Sequence, residues 1–158
     1  LWKTELLIVG NIVQDDDTAT PPEEAQRRFQ RYCAMLDALT GKEGAQYALA
    51  IFQSVQAEHD YGAYQIANRA AWRYGETAYC MALLHELPRL IATVPDWAGE
   101  FLVGIANGAG TPHASAINCF NSLLAGAPPA PQALIAAFIA EEEDDGWFEH
   151  CPGVLGQP

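Results

Sequence analysis

The chain has 158 residues, half of them apolar, and a formal net charge of −12. At that length a single domain is expected, with about two thirds of the unfolded surface buried. The surplus of carboxylates argues against a binder of phosphate backbones, and no apolar run approaches the roughly 20 residues of a membrane span, so a soluble protein with neither nucleic acid nor membrane as partner is expected.

Residues 1–14, LWKTELLIVGNIVQ, mix aliphatic side chains without a helical stripe and carry Gly10-Asn11 in their midst. A short strand or extended arm is the reading. Leu6 to Val9 is too short for a secretory core and lacks a cleavage site, so no export signal is expected. Asp15, Asp16 and Asp17 then open a polar loop. A calcium loop of the EF-hand kind needs alternating ligands, a central glycine and a distal glutamate, and none stands in register.

Thr20-Pro21-Pro22-Glu23 reads as a capping box, with a helix running to about Leu39 and Phe29, Tyr32, Cys33, Leu36 and Leu39 facing inward. A second helix is predicted over 43–58, burying Ala48, Ile51, Phe52 and Val55, and a third over 61–74, ended by Gly75. A fourth begins near Glu76. Pro88 falls inside its pattern and predicts a kink or break near His85, followed by a short helix through Leu90, Ile91 and Val94. Thr93-Val94-Pro95-Asp96 reads as the next start, with Trp97, Ala98, Phe101, Leu102 and Ile105 on one face and Asn107-Gly108 as a left-handed stop. Thr111-Pro112 and Ala130-Pro131 repeat the start signal, with Gly126 closing the helix between them.

Pro95, Pro112 and Pro131 stand 17 and 19 positions apart, the scale of a helical-hairpin repeat of the HEAT or tetratricopeptide type, although the signatures of neither are present. The expected fold is therefore all-α: a helical-hairpin array of about six or seven stacked helices. The layout is an extended arm and acidic loop over 1–19, helices over 20–145 and a tail over 146–158 that is loose at its end.

All eight basic residues lie at or before Arg89, so the first 89 residues carry −4 and the last 69 carry −8. Glu141, Glu142, Glu143, Asp144 and Asp145 gather where a helix ends, the place at which the macrodipole disfavours negative charge. Trp147 and Phe148 follow, either as anchors of the tail or as exposed binding anchors. Such a surface attracts a basic protein. Cys33, Cys80, Cys119 and Cys151 form no CxxC pair and read as reduced thiols, which makes the cytoplasm the expected compartment.

No pattern for catalysis emerges. His85-Glu86 begins a zinc-protease motif, but Arg89 occupies the place of the second histidine. Glu58-His59-Asp60 are adjacent residues that point in different directions. His113 and His150 read as surface or capping groups, and Ser54, Ser115 and Ser122 lack a nucleophile-elbow context. No enzyme activity, cofactor or metal is expected.

Leu83-Leu84-His85-Glu86-Leu87-Pro88-Arg89-Leu90-Ile91, Pro95-Asp96-Trp97-Ala98 and Phe101 to Asn107 together resemble the central region of all-helical immunity proteins from bacterial polymorphic-toxin and contact-dependent growth inhibition systems. The resemblance spans about 50 residues of mostly core positions. It implies inhibition by binding: a cognate toxin, often a nuclease, is blocked at its active or substrate-binding site. Trp97, Ile105 and Asn107 carry over as fold positions, and Gly104 departs from the basic residue common there. Asp15 to Asp17, Glu141 to Asp145, Trp147 and Phe148 are the candidate partner-binding residues. The alternatives are a helical scaffold or adaptor for a peptide or protein partner, and a small hydrolase with scattered ligands.

Overall fold

The computed structural model describes residues 1–149 and 151–156, and these contain eight α-helices, not the six or seven expected, and no strand. No helix among them is long and apolar enough to cross a membrane. The chain divides into two compact units, 1–75 and 76–158.

The first unit holds α1 (Trp2–Gly10), α2 (Pro22–Asp37), α3 (Gln46–Gln53) and α4 (Ala63–Trp72). The segment predicted as an extended arm is thus a helix, α1, and it packs on α2 and α3. The helical stripe is hard to see because apolar residues surround α1: Leu6 and Val9 are buried while Ile8 is exposed. Tertiary packing overrides the modest helix cost of the β-branched Ile8 and Val9. Gly10 ends the helix at a close approach, since a Cβ there would sit 2.7 Å from the Ser54 carbonyl oxygen and 2.9 Å from the Tyr32 ring.

Two fully buried tyrosines organise this core with edge-to-face rings, centroids 6.1 Å apart. The Tyr32 hydroxyl lies 2.7 Å from Ser54 Oγ, which donates to the Ile51 carbonyl at 2.6 Å. The Tyr64 hydroxyl donates to the Gly10 carbonyl and accepts from the amides of Gln56 and Ala57. Burial pushes the Tyr32 hydroxyl well above its usual range.

The capping box before α2 is not made. Thr20 Oγ1 turns back to donate to Asp17 Oδ2 at 2.8 Å, and Pro21 holds the cap position with Pro22 as the first helical residue. The predicted second helix is shorter than expected. Its would-be start, Glu43, instead gathers the amides of Thr40 and Gly41 and the hydroxyls of Thr40 and Tyr74 onto one carboxylate. At the end of α2, Arg73 Nη1 donates to the Leu36 and Leu39 carbonyls, filling acceptors a helix terminus leaves open.

The second unit holds α5 (Glu76–Thr93), α6 (Pro95–Ala106), α7 (Ser115–Ala125) and α8 (Pro129–Asp144). In it α5 packs against the other three, burying Cys80, Leu83, Leu87 and Leu90, and Phe101, Phe120, Ile135 and Phe138 fill the space around it. Of the kink or break expected near His85, the break is absent, for α5 runs unbroken through Pro88 to Thr93. Packing along α5 outweighs the one helical hydrogen bond that proline removes. Consequently Thr93 is not a cap: its hydroxyl donates to the Arg89 carbonyl inside α5, and Val94 holds the cap position of α6.

Asn107 is right-handed at φ −63°, so the predicted left-handed stop is not formed. Thr111 and Pro112 lie in turns before α7, whose first residue is Ser115. Helices therefore start unevenly, at 95, 115 and 129, and the regular spacing of prolines is not a spacing of helices. The chain end expected to be loose is docked up to Gly156. Leu155 is buried, Asn121 donates to the Val154 carbonyl, and the Gly156 amide donates back to Asn121 Oδ1.

Candidate interaction surface

The two acidic segments belong to different units and are built differently. In the first unit, Asp17 is committed to its own loop. It accepts from the Thr20 hydroxyl at 2.8 Å and from the Ala19 and Thr20 amides at 2.8 and 3.1 Å, and these bonds, the hydroxyl first, hold its carboxyl below the usual range. Asp15 meets the Tyr61 hydroxyl, raising the pKa of that phenol. The loop is exposed, but two of its three carboxylates have structural work.

In the second unit the end of α8 is closed by a Schellman turn. Gly146 adopts φ +84°, its amide donates to the Glu143 carbonyl, and the Trp147 amide donates to the Glu142 carbonyl. This turn satisfies orphan carbonyls that five neighbouring carboxylates would otherwise make still less favourable. Glu143 accepts from the Gly153 amide at 2.7 Å and so ties the tail to α8. The Glu142 carboxylate lies over Gly99 of α6 beside the Trp147 ring, where a Cβ on Gly99 would stand 2.6 Å from Oε2 and 3.0 Å from the indole. That oxygen is buried without a hydrogen-bond partner among the described residues. Desolvation, then the charges of Asp145, Asp96 and Glu141, push the Glu142 carboxyl above its ordinary value.

Glu141, Asp144 and Asp145 remain exposed, and no ion pair engages them among the described residues. Trp147 is half-buried and Phe148 is 3 % exposed, so the latter anchors the tail from within the unit. The single arginine of this unit, Arg89, donates from Nε to Glu86 at 2.7 Å. Glu86 is itself buried and also meets His85 Nδ1 at 3.1 Å. The sequence did not reveal that Glu86 is buried; its i,i+3 spacing to Arg89 was the available signal.

The residues screened for chemistry have structural surroundings. Ser54 is fully buried between Tyr32 and Ile51. Asp60 accepts from the Tyr64 amide at 2.8 Å, at the start of α4, and the backbone of His59 is clamped by Gln14. Among the described residues no three ligand side chains are grouped to hold a metal ion; His150 lies outside them. All four cysteines are free thiols, and Cys80 is buried against the Ala116 carbonyl of α7.

No known family, curated protein or solved structure matches this chain.

Proposed function

We propose that this protein is an immunity protein, acting in the cytoplasm, that neutralises a basic toxin, most fittingly a nuclease, by covering its active or substrate-binding site. One observation carries the reading. The second unit has ten carboxylates against one arginine, and that arginine is taken by the buried Glu86. The exposed Glu141, Asp144 and Asp145, with Trp147 beside them, then form the contact surface of the second unit, and Asp16 is a separate candidate in the first. A nuclease binds phosphates through cationic side chains, so carboxylates fit the same places, and opposed potentials speed the encounter.

The test is co-purification with the product of the adjacent upstream gene, followed by the triple variant Glu141→Lys, Asp144→Lys, Asp145→Lys. Binding at low salt is expected to weaken about tenfold or more, mainly through slower association, and the loss should shrink as salt screens it. An unchanged dissociation constant removes the α8 surface. A natural partner that docks through an acidic face removes the function, and leaves a scaffold of stacked helical hairpins as the better reading.

A further inference from the structure

We propose that a groove in the second unit, between α5 and the first turns of α8, receives a basic amphipathic helix of the partner protein. The groove has a volume of about 410 Å³, with Met81, Leu84 and Pro88 along one wall and Leu123, Pro131 and Ile135 opposite. Met81, Leu84 and Pro88 follow the three- and four-residue spacing of one helical stripe. This stripe is turned outward: Met81 is 56 % exposed. His85 completes the wall and is held in place by Glu86. An unbranched methionine on an exposed apolar wall adapts to a partner's side chains, as helix-receiving grooves require.

Pro88 adds a polar feature. It has no N–H to return to the carbonyl four residues back, so the Leu84 carbonyl, in the turn that lines the groove, lacks its helical donor.

Charge selects the occupant. None of the groove's lining residues is an Asp, Glu, Lys or Arg, while the unit around it carries −9. An entering segment therefore needs an apolar face for the groove and cations on its flanks. A second copy of the chain brings −12 in all, −9 of it in the same unit, and is repelled. The inference rests on the reading of this protein as a binder of basic partners, and assigns where such a partner inserts.

The probe is a fluorescein-labelled Leu/Lys peptide with leucines at three- and four-residue spacing, titrated by fluorescence anisotropy into the full chain. It is compared with a Leu/Glu counterpart and with a peptide of identical composition whose leucines are scattered. Binding is expected for the amphipathic Leu/Lys peptide alone. Met81→Gln should weaken it roughly fivefold to tenfold, the loss expected for one apolar side chain. Ile8→Gln, an equally exposed apolar position in the first unit, should leave it unchanged. Circular dichroism checks that both variants fold. If Met81→Gln does not fold, a benzophenone-bearing probe is crosslinked to the unaltered protein and mapped. Attachment within 81–88 or 123–135 supports the groove, and attachment within 141–145 or the first unit overturns it.

No binding, equal binding of the scattered or acidic peptide, or equal effects of Met81→Gln and Ile8→Gln also overturn it. Self-association in sedimentation that Met81→Gln abolishes assigns the groove to a second copy and overturns it too. A cognate toxin bound equally well by Met81→Gln removes the groove but leaves the immunity function standing, whereas an acidic natural partner removes the function whatever the probe does.

Discussion

The two units are nearly equal in length but use charge in opposite ways. The first has ten carboxylates and seven basic side chains, and many of these are tied to one another or to the backbone. Glu24 pairs with Arg27 and Arg28, Glu5 with Arg31, Glu43 fastens its loop to Tyr74, and Arg73 closes α2. The second has ten carboxylates and one arginine, with Glu76, Glu86 and Glu143 engaged internally and a surplus standing at the end of α8. Exposed pairs contribute only about 0–1 kcal/mol each, so the contrast is not one of total stability. In the first unit charge organises loops. In the second, the surplus works against the helix dipole and is available to something outside the fold.

If the first unit is organised by polar bonds and the second by apolar packing, core deletions should separate them. Phe120 is fully buried in the second unit, and Phe120→Ala is expected to cost about 3–5 kcal/mol, read by chemical denaturation, with hydrogen exchange faster throughout 76–156. In the first unit a change of one atom should be felt. Tyr64→Phe removes the donor to Gly10 and the acceptor for the Gln56 and Ala57 amides. An expected loss of about 1–3 kcal/mol follows, because buried groups are left unpaired. Hydrogen exchange then rises in 1–75. A Tyr64→Phe protein as stable as the original would dissolve the contrast.

How far the sequence disclosed this division depends on range. Local periodicity delivered α2 to α8 and the apolar faces of Tyr32, Leu36, Ile51, Phe101 and Ile105, because a buried stripe is written at three- and four-residue spacing. It failed at α1, where apolar residues on every side erase the stripe and only the fit of Gly10 against Ser54 decides the helix end. Cap signals failed where a hydroxyl had a better partner: Thr20 bonds Asp17 and Thr93 bonds Arg89. The acidic end of α8 was legible as composition, yet the loads on its members were not. Which carboxylate is buried over Gly99, which holds Gly153 and which stay exposed depends on α6, far away in sequence, and on how the adjoining tail folds back. The same holds for Asp17, whose role is local but whose loop looked merely solvated.

Acid should sharpen the contrast further, since the two units carry oppositely perturbed glutamates. The hydrogen bonds from Thr40 and then Tyr74 hold the Glu43 carboxyl at about 2, below its ordinary 4.5. A depressed folded value means that the unfolded chain takes up the proton first. The contribution of Glu43 is therefore whole above about pH 4.5 and lost as the pH falls toward 2. Glu43→Gln should lower the melting temperature at neutral pH, and the gap from the original protein should close on acidification through that window.

Glu142 runs the other way and gives the smallest effect. Burial, followed by its acidic neighbours, raises its folded value above 4.5, so the folded chain holds the proton more tightly than the unfolded one. Stability from this group increases as the pH falls through the raised value and declines as the pH climbs past it. Glu142→Gln removes a negative charge from the helix C-terminus and the desolvation of a buried oxygen together. It should stabilise the second unit at neutral pH by about 0.3–1 kcal/mol, with the gain fading once Glu142 is protonated in the original protein. Thermal unfolding of the two variants across the acid range reads both signs. A destabilised Glu142→Gln at neutral pH would show that this carboxylate is held by a bond its buried oxygen does not display, and the surplus in the second unit would then be serving the fold.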